Sequence, residues 1–310
     1  MPACETNVPA MNAKLFKTLS VCLSALACFV QPLAAQDTGT STTTRHCLWK
    51  VQGTNAPVYL LGSFHLLKAD DWPLAAPLES AYTNARIAVF ETDLAKMEEP
   101  ETQMKVVAKS SLPTGETLKN QLSAETYGKF LEYVKKLELP EEMFTQFKPT
   151  FAAIMLTVLE IQKLGFDPNR GVDKHFFERA RKDGKEIVGL ETLDFQISLV
   201  TESSKEEGEL LMKSSLKEIE NIRQSFGDLV KAWKAGDAAK LEKLMNEALN
   251  ETPVIAKRLL TDRNRNWLPK IRELLRGDQP AVVIVGAGHL VGRDSVVELL
   301  QKEGLKVTQL

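Results

Sequence analysis

Dense apolar runs alternate along this chain with long stretches whose apolar residues recur at helical spacing. Near the start, "HCLWKVQG" and "APVYLLG" flank the turn-like "GTNAP", a pattern that predicts a β-hairpin. Three further runs predict buried strands: "RIAVFETD" at 86–93, "KEIVGLET" at 185–192 and "PAVVIVGAGH" at 280–289. "LKVTQL" predicts a last short strand. The stretches between them predict helices. "SAETYGKFLEYVKKLEL" opens on a serine, and "PTFAAIMLTVLEIQKLG" stops at Gly165, a residue type that readily takes the left-handed conformation after a helix. "GVDKHFFERARKDG", "SKEEGELLMKSSLKEIENIRQSF", "GDAAKLEKLMNEAL" and "VIAKRLLTDRNRNWLPKIRELLRG" continue the helical character. Few strands separated by many helices predict an α/β fold, a mixed central β-sheet with large helical insertions at about 95–184 and 201–276. No repeat with a period of 20–50 residues is visible.

The N-terminus breaks this pattern. Lys14 and Lys17 precede an apolar stretch from Leu19 to Val30 that ends in Leu33-Ala34-Ala35, the three parts of a secretory signal peptide. Residues 1–35 are therefore expected to be removed, with Met11 as the expected true start, and 36–45 ("QDTGTSTTTR") to form a flexible spacer before one domain at 46–310. A periplasmic or secreted location follows, with no membrane span once the signal is gone. Ala27-Cys28 offers a second reading, lipid attachment at Cys28. Of the four cysteines only Cys47 would survive cleavage, so no internal disulfide is expected and Cys47 reads as a buried strand residue. The remaining composition is that of an ordinary folded protein, with 44% apolar and 26% charged residues. A net charge of −2 lacks the basic surplus of a phosphate-backbone binder, which argues against a nucleic-acid partner.

Chemistry enters with the histidines. His65 ends "GSFH" and His289 ends "GAGH", each three residues after a glycine (Gly62, Gly286) that closes an apolar run. With 17 glycines in 310 residues, that spacing arises by chance for about one histidine in twenty, so two of four is a signal. Residues just beyond the carboxyl ends of buried parallel strands line ligand crevices. Glu91 and Glu191 occupy the same point after their own runs, each followed by threonine. Two imidazoles and two carboxylates suit a divalent metal such as Mn²⁺, Co²⁺ or Zn²⁺, and equally suit metal-free acid–base catalysis. Taken singly, each residue has a plain structural reading as a strand cap or a surface ion pair. Taken together, four ionisable strand ends make an expensive cluster unless they meet water, a metal or one another.

Other residues divide between support and structure. Asp173, in "GVD", reads either as a helix cap or as a carboxylate supporting the site. His175 reads as structural and His46 as solvated. Arg263 and Trp267 lie one helical turn apart, so the Arg263 face meets the core and needs an acidic partner, for which Glu91 or Glu191 is the candidate.

The ordered motifs "LWKV", "YLLGSFH", "FETD", "GVD", "GKEIVGLET", "DRNRNW" and "VVIVGAGHLVGRDSVVELLQKEGLKV" resemble the TraB/GumN family from about Cys47 to Leu310. That family is related to the Tiki proteins and, more distantly, to the erythromycin-esterase (EreA) and ChaN-like proteins. The resemblance implies an EreA/ChaN-like fold and a site built from both G-x-x-H motifs and Glu91, with Asp173, Glu191, Arg263 and Asn264 nearby. Tiki-like members are described as divalent-metal-dependent proteases, while others inhibit peptide pheromones. The resulting expectation is an exported metal-dependent hydrolase acting on a peptide or small molecule. In it His65, His289 and Glu91 hold the metal, and Glu91, Glu191, Arg263 and Asn264 serve catalysis. The alternatives are a module that sequesters such a ligand without turnover, and a metal-free esterase-like hydrolase.

Overall fold

The computed structural model describes residues 45–249 and 252–310, the side chains of 247–249 excepted. The expected signal peptide, the spacer up to residue 44 and Cys28 lie outside the described residues. Six strands form one sheet: β1 (Leu48–Val51), β2 (Val58–Ser63), β3 (Ile87–Phe90), β4 (Glu186–Gly189), β5 (Ala281–Gly286) and β6 (Val307–Gln309), in the order β4-β3-β5-β2-β1-β6. The predicted hairpin is present, with Leu48 opposite Leu61 and Val51 opposite Val58. β2, β5, β3 and β4 run parallel, and β1 runs antiparallel to β2 and β6, so the sheet is mixed and the α/β expectation is met.

Parallel strands need both faces covered, and the central ones have this: β5 is buried at every position, with β2 nearly so. The run at 185–192 behaves differently from its expectation as a buried strand. β4 pairs with β3 alone, leaving Glu186 exposed and Ile187 and Val188 half-buried.

The covering helices are α1 (Ala76–Asn84), α2 (Pro100–Ser110), α3 (Ala124–Lys136), α4 (Pro149–Lys163), α5 (Val172–Asp183), α6 (Leu193–Thr201), α7 (Lys205–Ile219), α8 (Ile222–Lys234), α9 (Ala238–Leu249), α10 (Asp262–Arg276) and α11 (Val296–Lys302). α4 is buried almost all round from Pro149 to Val158, which accounts for a sequence with no polar face, and α7 lies along it. Gly165, two residues beyond α4, has φ +91°, the conformation its position demanded. The predicted stretch "SKEEGELLMKSSLKEIENIRQSF" is two helices. A capping box between Ser204 and Glu207 starts α7, and the chain breaks at Glu220–Asn221 before α8. α1, α2, α6 and α11 were not marked by the apolar pattern. Ahead of α10, Lys257–Thr261 is π-helical, a feature that sequence spacing does not announce.

Register then fixes the site. Ser63 lies opposite Gly286, Phe90 opposite Ile284, and Phe90 opposite Gly189. Pairing of β3 with β4 continues one step further, where the Glu191 N–H donates to the Glu91 carbonyl at 2.8 Å. Four parallel strands therefore end along one rim of the sheet, with His65, Glu91, Glu191 and His289 just beyond it.

Candidate active site at the strand ends

Arg263 is the centre of this rim. It projects from the first turn of α10 and is 6% exposed. Its Nε donates to both oxygens of Glu191 (2.9 and 3.1 Å), and its Nη2 donates to Glu91 Oε2 (2.6 Å) and Glu191 Oε2 (2.8 Å). Nη1 faces His289 Nε2 at 3.1 Å and donates to the Leu259 carbonyl at 3.2 Å, inside the π-helical stretch. The sequence argument asked for Glu91 or Glu191 as partner, and the guanidinium takes both. All five of its N–H groups are then engaged, so Arg263 has no donor left for a substrate. Its action on any reaction is through the field it sets and the groups it holds.

His289 is fixed on both sides. Its Nδ1 lies 2.6 Å from Asn264 Oδ1, and Asn264 Nδ2 donates to the Asp294 carbonyl at 2.9 Å, which settles the amide's orientation. Nδ1 therefore carries the hydrogen and Nε2 is the acceptor facing Arg263. The ring packs on Trp267, centroid to centroid 4.3 Å, and Trp267 also carries the Arg263 guanidinium over its face. Burial, then the Arg263 charge, push His289 down to about 3 against the opposing pull of Glu91, so the imidazole is neutral.

His65 has a different environment. Its Nδ1 lies 2.9 Å from Asp173 Oδ2, which reaches it from the first turn of α5. Two contacts hold α5 against this segment: the Val172 N–H donates to the Phe64 carbonyl, and the Asp167 N–H to the Leu67 carbonyl. Gly171 is required for that approach, since a Cβ there would stand 2.6 Å from the His65 carbonyl oxygen. Burial pulls the His65 pKa down, but Asp173, with help from Glu91, outweighs it and the net shift is upward. With the hydrogen on Nδ1, Nε2 is free to accept, and it lies against Gly286. A Cβ on Gly286 would be 3.5 Å from both His65 Nε2 and Glu91 Oε1.

Glu91 completes the link between the two halves. Oε1 accepts from the Gly286 N–H at 2.8 Å, and Oε2 accepts from Arg263 and from Gln196. Burial would raise its pKa, but Arg263, both histidines and the Gly286 N–H hold the carboxyl well below the usual range. Gln196 also donates to Glu191 Oε2. Sequence reasoning passed over Gln196; the available signal was its place one turn after Thr192, the residue that caps α6 at the end of the Glu191 strand. The Gly62 carbonyl accepts from Trp233 Nε1 at 2.8 Å, a second contact without a sequence signal.

The remaining residues fall outside this cluster. His175 packs against Trp72 and Phe176 on the far side of α5. His46 is half-buried where solvation was expected, because its backbone pairs with Leu310 and Gln309. Cys47 is 1% exposed and burial pushes its thiol up to about 12, which makes it inert.

The donor types suit a divalent metal, but their arrangement does not. His289 Nε2 and Glu91 Oε2, expected as ligands with His65, both point at Arg263, and His289 Nε2 is 4.0 Å from Glu91 Oε1. Among the described residues no group of three or more His, Cys, Asp or Glu side chains is set to hold a metal ion.

Comparison with known proteins agrees with the order of motifs. The TraB/PrgY/gumN family model matches residues 47–309, and the chain belongs to that family. Protein YbaP of Escherichia coli (strain K12) is 23% identical over 251 residues, covering 80% of this chain and 89% of YbaP. The metalloprotease TIKI2 of Danio rerio is 21% identical over 350 residues, covering 92% of this chain and 67% of TIKI2. No solved structure matches.

Proposed function

We propose that this member of the TraB/PrgY/gumN family is an exported hydrolase, acting on peptides, whose general base is His65. The observation that carries this reading is the His65–Asp173 pair. Asp173 fixes the tautomer and stabilises the imidazolium, which leaves Nε2, lying beside Gly286, as the acceptor. In the proposed step His65 Nε2 takes a proton from water, the water oxygen attacks the substrate carbonyl, and the imidazolium returns the proton to the leaving group. Glu91, Glu191, Arg263, Asn264 and His289 form a hydrogen-bonded network beside that base. Export rests on the signal-like residues 11–35, and no helix among the described residues is long and apolar enough to cross a membrane.

A second reading is favoured by the similarity to the TIKI2 metalloprotease. It makes hydrolysis metal-dependent, with His65, His289 and Glu91 as donors to Mn²⁺, Co²⁺ or Zn²⁺, and it requires Arg263 to release two of them. One experiment separates the readings: the full chain and its His65→Ala variant assayed on a peptide library and an ester panel, untreated, chelated, and with each metal added. General-base hydrolysis predicts turnover that survives chelation, vanishes in His65→Ala and rises with pH through a midpoint above 6.5, where His65 loses its second proton. Turnover lost on chelation and restored by one metal replaces it with the second reading. Saturable binding without turnover defeats both and leaves a sequestering module.

A further inference from the structure

We propose that Arg263 is the resident cation of this site, and that a divalent ion enters only in exchange for its guanidinium. The inference concerns occupancy and does not depend on whether the site hydrolyses anything.

Three observations lead to it. The first is competition for the same lone pairs. Imidazole nitrogens bind Zn²⁺ and its neighbours at about 2.0–2.1 Å. Placed on the line from His289 Nε2 to Arg263 Nη1, which is 3.1 Å long, such an ion would sit about 1 Å from Nη1. Glu91 Oε2 is closer still to Nη2, at 2.6 Å. The second is charge. Glu191 and Glu91 have side-chain exposures of 5% and 15%, and both are paired with this one cation. A guanidinium neutralises one of the two buried carboxylates, whereas a divalent ion would neutralise both. The third is donor saturation: every N–H of Arg263 has a partner, one of them the Leu259 carbonyl four residues earlier. The guanidinium thus fills a cation position that Glu91, Glu191 and His289 define.

The test is metal binding read by spectroscopy and by thermal unfolding. Chelator-treated full chain and its Arg263→Met variant are titrated with Co²⁺, following visible absorption, and melted with and without Zn²⁺. Arg263→Met is expected to bind one Co²⁺ tighter on the order of 100-fold, the scale set by an uncompensated buried charge. Zn²⁺ should raise its melting temperature and leave that of the wild type unmoved. Adding His289→Ala to Arg263→Met should remove most of the gain. Arg263→Lys, which keeps a charge but loses the planar fork, should gain in the same direction by a smaller factor and serves if Arg263→Met does not fold. Equal Co²⁺ affinity in the wild type and the folded variants overturns the proposal. So does stoichiometric micromolar Co²⁺ binding by the wild type with His289 as ligand, whatever the variants do.

Discussion

The two G-x-x-H segments share a sequence pattern, adjacent strands and one rim of the sheet, yet their histidines have opposite properties. Asp173 holds His65 through Nδ1 and its pKa moves up; Asn264 holds His289 through Nδ1 and its pKa falls to about 3. His65 keeps Nε2 open beside Gly286, whereas His289 turns Nε2 onto Arg263. The backbone separates them too, since Ala287–His289 is a single 3-10 turn and the chain after Gly62 runs on toward a bridge between Leu67 and Asp167. A strand end delivers an imidazole, and a partner from a distant helix decides what it does. A carboxylate raises the pKa of one histidine and makes it the stronger base. An amide and a guanidinium make the other a fixed acceptor.

Removing that carboxylate is the largest expected perturbation. Asp173→Asn keeps the shape of the His65 contact but loses the charge that stabilises the imidazolium. We expect turnover to drop by a factor on the order of 10²–10⁴. The pH midpoint of the residual activity should also move down, because Asp173 is the main group raising the His65 pKa. A pH–rate profile of this variant that matches the wild type would show that His65 is not the titrating base.

How much of this contrast was legible depends on distance along the chain. The apolar runs marked all six strands and placed the four ionisable residues at their ends, because a strand end is a local property. The spacing of Arg263 and Trp267 showed, for the same reason, that the arginine meets the core and needs an acidic partner. Partner identity was not local. Asp173 reaches His65 across 108 residues and Arg263 reaches Glu91 across 172, both through helices whose placement no periodicity specifies. The donor types suggested a metal held by His65, His289 and Glu91, and nothing local announced the guanidinium that engages His289 and Glu91. The half-burial of β4 was hidden for a related reason, since a strand at the sheet edge and one at its centre can carry the same apolar run.

The second prediction uses stability in place of rate. His289 is neutral when folded, with a pKa near 3, and close to 6.5 when unfolded. Between those values the unfolded chain binds the extra proton, so this contribution is complete above pH 6.5 and is lost as pH falls, by at most about 1.4 kcal/mol per unit. Glu91 adds a loss of the same sign, but only once pH drops below about 4.5. His65 has the opposite sign, and its contribution changes only above 6.5. The window from pH 6.5 to 4.5 therefore isolates His289 within this cluster. Chemical denaturation there should show a slope in the wild type that flattens in His289→Gln. An identical slope in both would remove the claim that His289 is buried neutral.

The smallest effect on the fold, and the sharpest on the open half of the comparison, is expected from Gly286→Ala. Gly286 has φ −49° and ψ 135°, which any residue adopts, and the new methyl would stand 3.5 Å from His65 Nε2 and Glu91 Oε1 and 3.6 Å from His289 Cδ2, ordinary contact distances. Stability should change by less than about 1 kcal/mol, since the lost flexibility of the unfolded chain offsets minor crowding. The methyl would nevertheless occupy the space beside Nε2, so kcat/KM should fall roughly tenfold or more if His65 is the base and water reaches it from that side. Gly171→Ala is the control with the reverse signature. Its Cβ meets the His65 carbonyl at 2.6 Å, and that variant should lose stability, because the backbone that carries Asp173 has to move. A Gly286→Ala variant with unchanged kcat/KM would mean that substrate and water reach the site from another direction, and the open histidine would then be no more accessible to chemistry than the locked one.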